Sequence, residues 1–289
     1  MKKVYFKLLS EHTNLKNEPA EVKIKLIKEY EFFSDRITTD LLNELYFSLR
    51  DVKGDWISLN VVSDNHSIYA TISLLSALEG ENKTALQPEI LTLVEDFLRP
   101  DLLSNLFLPK DNYNPIEETD QDSEQDSKQD SEGILVQIEG HSKLEEDELI
   151  KELKKKNIKY EVITNNFIST DVGASSVVCG AIIFIANAAL GGIIWDVMKS
   201  GLSKVNPFSE NQLDERSLEN INYKKLLKDV SQRAKIATKD LMLIKKHRKD
   251  SEKIFMFRAN NTIITVICDE RYIIQDFRLE EREPYKINI

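Results

Sequence analysis

The longest uncharged block of the chain runs from Val172 to Trp195, between Asp171 and Asp196, and reads VGASSVVCGAIIFIANAALGGIIW. It spans 24 residues, and about 20 apolar residues suffice to cross a bilayer as a helix. At 100° per residue, Gly173, Ser176, Gly180, Asn187 and Gly191 fall on one side of such a helix. Val178, Ile182, Ile185 and Ile193 fall on the other. A seam of small residues carrying one amide lets helices approach closely in lipid, with the Asn bonding across the contact. The pattern therefore predicts a self-associating transmembrane helix over 172–195, with Trp195 as an anchor at the membrane interface. A fully buried core helix is the alternative.

Shorter blocks predict the remaining elements. Residues 4–9 read as a strand. Residues 20–34, with Val22, Ile24, Ile27 and Tyr30, read as a helix. Thr38-Thr39-Asp40 caps a second helix through about Ser48. Two strands, 56–62 and 68–78, flank a turn at Ser63-Asp64-Asn65. Pro88 opens a helix that passes Phe97 and stops at Pro100. Further on, 134–140 is a strand and 144–157 a helix with acids first and lysines last. Residues 158–170 form the second strand of a β-α-β unit. A basic amphipathic helix follows at 221–249, with Leu226, Leu227, Val230, Ala234, Ala237, Leu241 and Ile244 as its apolar stripe. The chain closes on a β-meander whose first turn is Asn260-Asn261.

The triple repeat QDSE, QDSK, QDSE within 118–132 has nothing to bury. It predicts an acidic linker over 116–133. The expected architecture is therefore α+β with two domains. An N-terminal interaction or sensing domain covers 1–115. A C-terminal module covers 134–289 and contains the β-α-β unit, the long apolar helix, the basic helix and the meander.

Charge changes the picture only locally. The net charge of −10 owes much to residues 117–133, which hold eight acids and one base. Residues 224–258 hold twelve Lys or Arg against four acids. Their densest part, Lys245, Lys246, Arg248 and Lys249, marks a contact for anionic lipid or another polyanion. The four histidines and two cysteines share no metal-type spacing, and no nucleophile, P-loop or dinucleotide motif occurs. The Asp64, Asn65 and His66 trio is explained by turn chemistry. The reading therefore assigns no catalytic residue, metal ligand or cofactor, and an enzyme is the least supported class. The N-terminus lacks a long apolar signal segment. This places the first domain in the cytoplasm, with the chain associated with the inner membrane or, alternatively, wholly soluble.

Residues 168–175 (ISTDVGAS), 180–202 (GAIIFIANAALGGIIWDVMKSGL) and 255–269 (FMFRANNTIITVICD) give the C-terminal half an order of parts. It resembles the effector-associated and small membrane-effector modules of bacterial conflict and anti-phage systems. The resemblance implies a non-enzymatic membrane-associating effector or adaptor that oligomerises to perturb a membrane. Expected partners are membrane lipid, further copies of the chain, and a protein bound by the N-terminal domain. The alternatives are a soluble protein-binding adaptor with the apolar helix in its core, and a nucleic-acid-binding protein using the basic helix, a partner the acidic pI of 5.1 disfavours.

Overall fold

A computed structural model describes residues 1–14, 21–54, 56–77, 88–106, 132–140, 143–171, 175–186, 220–249, 251–260 and 262–281. The chain is mixed α/β, with four α-helices and two kinds of β-layer among these residues, as an α+β class requires. It divides into two compact units. Within the described residues, the first takes 1–106 and 166–178, and the second takes 132–165 and 179–281.

The first unit is built on β1 (Lys2–Asn14), β2 (Glu21–Ser34), β3 (Ile57–Ser63) and β4 (Ser67–Ala77), in the order β2-β1-β4-β3. Strand β1 is antiparallel to β2 and parallel to β4, and β3 and β4 form an antiparallel hairpin. The hairpin turn is closed by the Asp64 carboxylate, which accepts from the backbone N–H groups of His66 (2.7 Å) and Ser67 (2.6 Å). Helix α1 (Thr39–Lys53) starts at Thr38, whose hydroxyl accepts from the Leu41 N–H, and ends at Gly54, which holds φ 83°. Gly is the residue suited to that positive φ. Leu42, Leu45, Tyr46 and Leu49 of α1 and Ile90, Val94 and Leu98 of α2 (Pro88–Leu106) cover Val4, Phe6, Leu8, Leu59 and Ile72 of the strands.

Two expectations fail in this unit for visible reasons. Residues 21–34 are a strand, not a helix. A β-bulge leaves Ile27 without a partner between the Leu8–Lys28 and Leu9–Leu26 pairs. That extra residue puts Ile27 and Tyr30 against the same core. The resulting three-residue step imitates helical spacing. Helix α2 also continues past Pro100 to Leu106. The lost N–H is outweighed by tertiary bonds beyond it. Asp101 accepts from the Ser34 hydroxyl (2.6 Å) and Arg36 Nε (2.9 Å), and Asn105 bridges the N–H and C=O of Phe33.

In the second unit, β5 (Gly133–Gly140) pairs antiparallel with residues 179–186 of β7 (Ser175–Ala186) and with the short β8 (Asn220–Ile221). Strand β6 (Tyr160–Asp171), which belongs to this unit through Asn165, neighbours β7 on the other side. Helix α3 (Lys143–Lys155) covers one face of this layer through Leu149 and Leu153, packing on Ile134, Val136, Ala181, Ile183 and Ile185. The opposite face packs Leu135, Ile182 and Phe184 against a four-stranded antiparallel meander. Its strands are β9 (Met242–Lys249), β10 (Glu252–Ala259), β11 (Thr262–Cys268) and β12 (Ile274–Glu281), in the order β12-β11-β10-β9. Asn260, at φ 52°, turns β10 into β11. Helix α4 (Tyr223–Ala234) adds Tyr223, Leu226 and Val230 to the same core.

The apolar run is thus not a helix where it is described. Residues 175–186 form β7, an inner strand that is buried on both faces over 181–185. Such strands read as continuous apolar runs, and the β-branched Val177, Val178, Ile182, Ile183 and Ile185 favour a strand. Residues 187–195 lie outside the described residues. The basic helix is likewise shorter than expected. It ends at Ala234, with Lys235 left-handed at φ 56° as its cap. A 3-10 turn at Thr238–Asp240 leads into β9, so Lys245 to Lys249 are on a strand. Among the described residues, no helix is long and apolar enough to cross a membrane.

Gly133 marks how closely β5 and β7 approach. A Cβ there would lie 2.3 Å from the Ile185 carbonyl oxygen and 2.5 Å from the Phe184 ring. Gly133→Ala is therefore expected to cost about 1–3 kcal/mol through overpacking, read as a lower denaturant midpoint. Burial also predicts an asymmetry along β7. Ile183, fully buried, should cost about 2–5 kcal/mol when changed to Ala. Val177, 40% exposed, should cost within about 0.5 kcal/mol as a surface change. Equal effects at the two positions in equilibrium unfolding would contradict this difference in burial.

Candidate functional site: the cleft beside helix α4

Of the residues expected to form a helical seam, Ser176 and Gly180 are described. Ser176 and Gly180 lie on β7, where period-2 alternation puts Gly180 on the same face as Val178 and Ile182. A helix would have put those bulky residues opposite. Gly180 instead pairs with Glu139 of β5. Gly173, Asn187, Gly191 and the expected anchor Trp195 lie outside the described residues.

The basic cluster is split by the strand that carries it. Lys245 and Lys249 point to one face of β9, and Lys246 and Arg248 to the other. Lys246 is committed to the fold: its N–H donates to Gln137 Oε1 (2.8 Å) and its Nζ to the Leu135 carbonyl (2.9 Å). Lys245, Arg248 and Lys249 are exposed. Exposed cations also line α4, at Lys224, Lys225, Lys228 and Arg233, because Tyr223, Leu226 and Val230 turn its apolar stripe inward.

The Asp64 trio is a turn, as its sequence implies. Burial pushes the Asp64 carboxyl above its ordinary value, against the opposing pull of its two backbone hydrogen bonds. Among the described residues, no group of three His, Cys, Asp or Glu side chains could hold a metal ion.

The second unit also carries a concavity among its described residues that the sequence did not suggest. It is a cleft of about 370 Å³ where the start of α4 faces the β11–β12 turn. Ile221, Leu226 and Ile274 form its buried apolar lining. Lys225 and Arg233 come from α4, Arg271 from the turn, and Glu132 and Asp229 supply opposing charge. None of these five charged groups forms an ion pair with a described residue. The helix start is already capped, since the Asn222 side chain accepts from the Lys225 N–H at 2.9 Å.

The turn is held from two sides. Above, the Asp269 carboxylate accepts from the N–H groups of Arg271 (2.8 Å) and Ile273 (2.9 Å) and from Gln275 Nε2 (3.0 Å). Below, the buried Lys253 donates to the Glu270 carbonyl (2.8 Å), with its ammonium 3.7 Å from the Tyr272 ring centre. These bonds keep Tyr272 at φ 60°, a left-handed conformation that costs a bulky residue energy. Arg271 and Ile273 are left exposed on a fixed frame, Ile273 at 56%. Beneath the turn, burial pushes the Cys268 thiol up to about 11, so it stays protonated and inert at neutral pH.

The sequence shows Asp269-Glu270-Arg271 only as a polar break between two β-runs. What joins it to Lys225 and Arg233, some 40 residues away, is the meander packing on α4. No family model matches the chain, and no curated protein or solved structure is significantly similar to it.

The Asp269 carboxyl lies below its ordinary 3.8, chiefly because it accepts the Ile273 N–H. A lowered folded value means its contribution to the turn is complete above pH 3.8 and is lost as pH falls through that folded value. The amide resonances of Arg271 and Ile273 should hold their shifts down to about pH 3.8 and move only in more acid solution. A transition centred at or above 3.8 would contradict these bonds.

Proposed function

We propose that this chain is a non-enzymatic adaptor that binds another protein, with the described part of its apolar run serving as core. The observation that supports this reading is β7. Cys179, Ala181, Ile182, Ile183, Phe184 and Ile185 are all buried, with alternate side chains committed to opposite faces of one layer. At about 1.5–3 kcal/mol per large apolar side chain withdrawn from water, releasing this strand into lipid would dismantle the second unit. The charged, open cleft with its fixed turn is the kind of surface an adaptor presents.

One observation favours a second reading, peripheral attachment to an anionic membrane. Lys245, Arg248 and Lys249 of β9 and the outer face of α4 are exposed and basic. Each such charge near an anionic surface contributes about 1 kcal/mol. This reading keeps the effector role but replaces insertion with surface contact.

Flotation of the full chain with liposomes separates the two. The adaptor should stay at the bottom of the gradient with both phosphatidylcholine vesicles and vesicles containing phosphatidylserine. Salt-sensitive flotation with phosphatidylserine alone would establish the peripheral reading. Flotation that survives an alkaline carbonate wash would overturn the proposal, because only insertion resists that treatment.

A further inference from the structure

We infer that the cleft beside α4 captures an acidic peptide segment of a partner protein, an apolar side chain flanked by carboxylates. The inference rests on the adaptor reading and names the chemistry of its partner. Three observations carry it.

The first is a group of cations that form no ion pair with a described acid. Lys225, Arg233 and Arg271 surround one concavity, and none pairs with a described acid. A guanidinium offers parallel N–H donors that match a carboxylate. The second is shape and polarity. An apolar lining under a cationic rim accepts a side chain below and carboxylates above, and Ile273 adds exposed apolar surface at the rim. The third is preorganisation. Asp269 and the buried Lys253 hold the turn that carries Arg271 and Ile273. A ligand therefore loses little affinity to ordering that turn.

The two acids decide the ligand class. Glu132 and Asp229 reduce the cleft's charge to one net positive. A nucleic acid backbone, with a phosphate at every step, would bring repeated charge against them. A short segment with a few separable carboxylates can place each against a cation and avoid Asp229.

The test is fluorescence anisotropy of the full chain with labelled peptides Glu-Glu-Leu-Glu-Glu, Gln-Gln-Leu-Gln-Gln and Glu-Glu-Ser-Glu-Glu. The acidic leucine peptide should bind saturably, and each of the others about tenfold more weakly, the equivalent of one lost interaction. Arg271→Ala should weaken binding about tenfold or more. Asp229→Asn should tighten it, a gain that a folding defect cannot produce. Four outcomes would overturn the proposal: no saturable binding up to about 1 mM, equal binding of the glutamine peptide, indifference to Arg271→Ala, or tighter Arg271-dependent binding of duplex DNA. The liposome result is independent of these peptides. A peptide failure with no flotation removes the cleft assignment alone, whereas carbonate-resistant flotation removes the adaptor reading itself.

Discussion

The pairing of β5 with β7 is the constraint on which the second unit depends. Eight consecutive residue pairs, from Gly133–Ala186 to Gly140–Cys179, align two strands whose side chains are needed on both faces. Odd positions of β7 serve the core under α3, and even positions serve the core shared with the meander and α4. A one-residue slip would exchange the two sets and ruin both. Gly133 fixes the approach at one end, because no side chain fits between it and Ile185.

The cleft is a consequence of that arrangement. Even-numbered β7 residues, with Leu135, give the meander and α4 a common apolar base. Packed on it, α4 turns its basic face outward, and the β11–β12 turn stands opposite the start of the helix. Lys253 connects interior and surface. It lies buried, yet its ammonium reaches the Glu270 carbonyl and the Tyr272 ring, so the core sets the conformation of an exposed recognition turn. In the first unit, the Ser34–Arg36–Asp101 node has the comparable structural role of fixing α2 to the end of β2.

The same physics explains why the sequence pointed to lipid. A bilayer and a two-faced β-layer make the same demand on composition, a stretch without charge. The difference lies in branching and pairing. Val177-Val178 and Ile182-Ile183 suit a strand, and neighbouring strands, ILVQI in β5 among them, give it its partners. Gly180, one of the glycines that suggested a helical seam, instead pairs with Glu139 of the neighbouring strand.

Local chemistry was enough to determine several parts of this protein. Thr38 opens α1, Asp64 closes the β3–β4 hairpin, and the alternation of residues 252–278 yields the meander, because each depends on neighbours a few positions away. The α+β class followed from those parts. Tertiary structure decided what sequence spacing could not. The bulge at Ile27 was hidden because it exists only relative to Leu8 and Leu9 of β1. Passage of α2 through Pro100 required Asp101 and Asn105 to find β2. The change from helix to strand after Ala234 required β10 as a partner for Lys245–Lys249. The cleft was invisible for the same reason: Lys225, Arg233 and Arg271 become one site only when two distant segments pack on a shared core, and no local pattern records that distance.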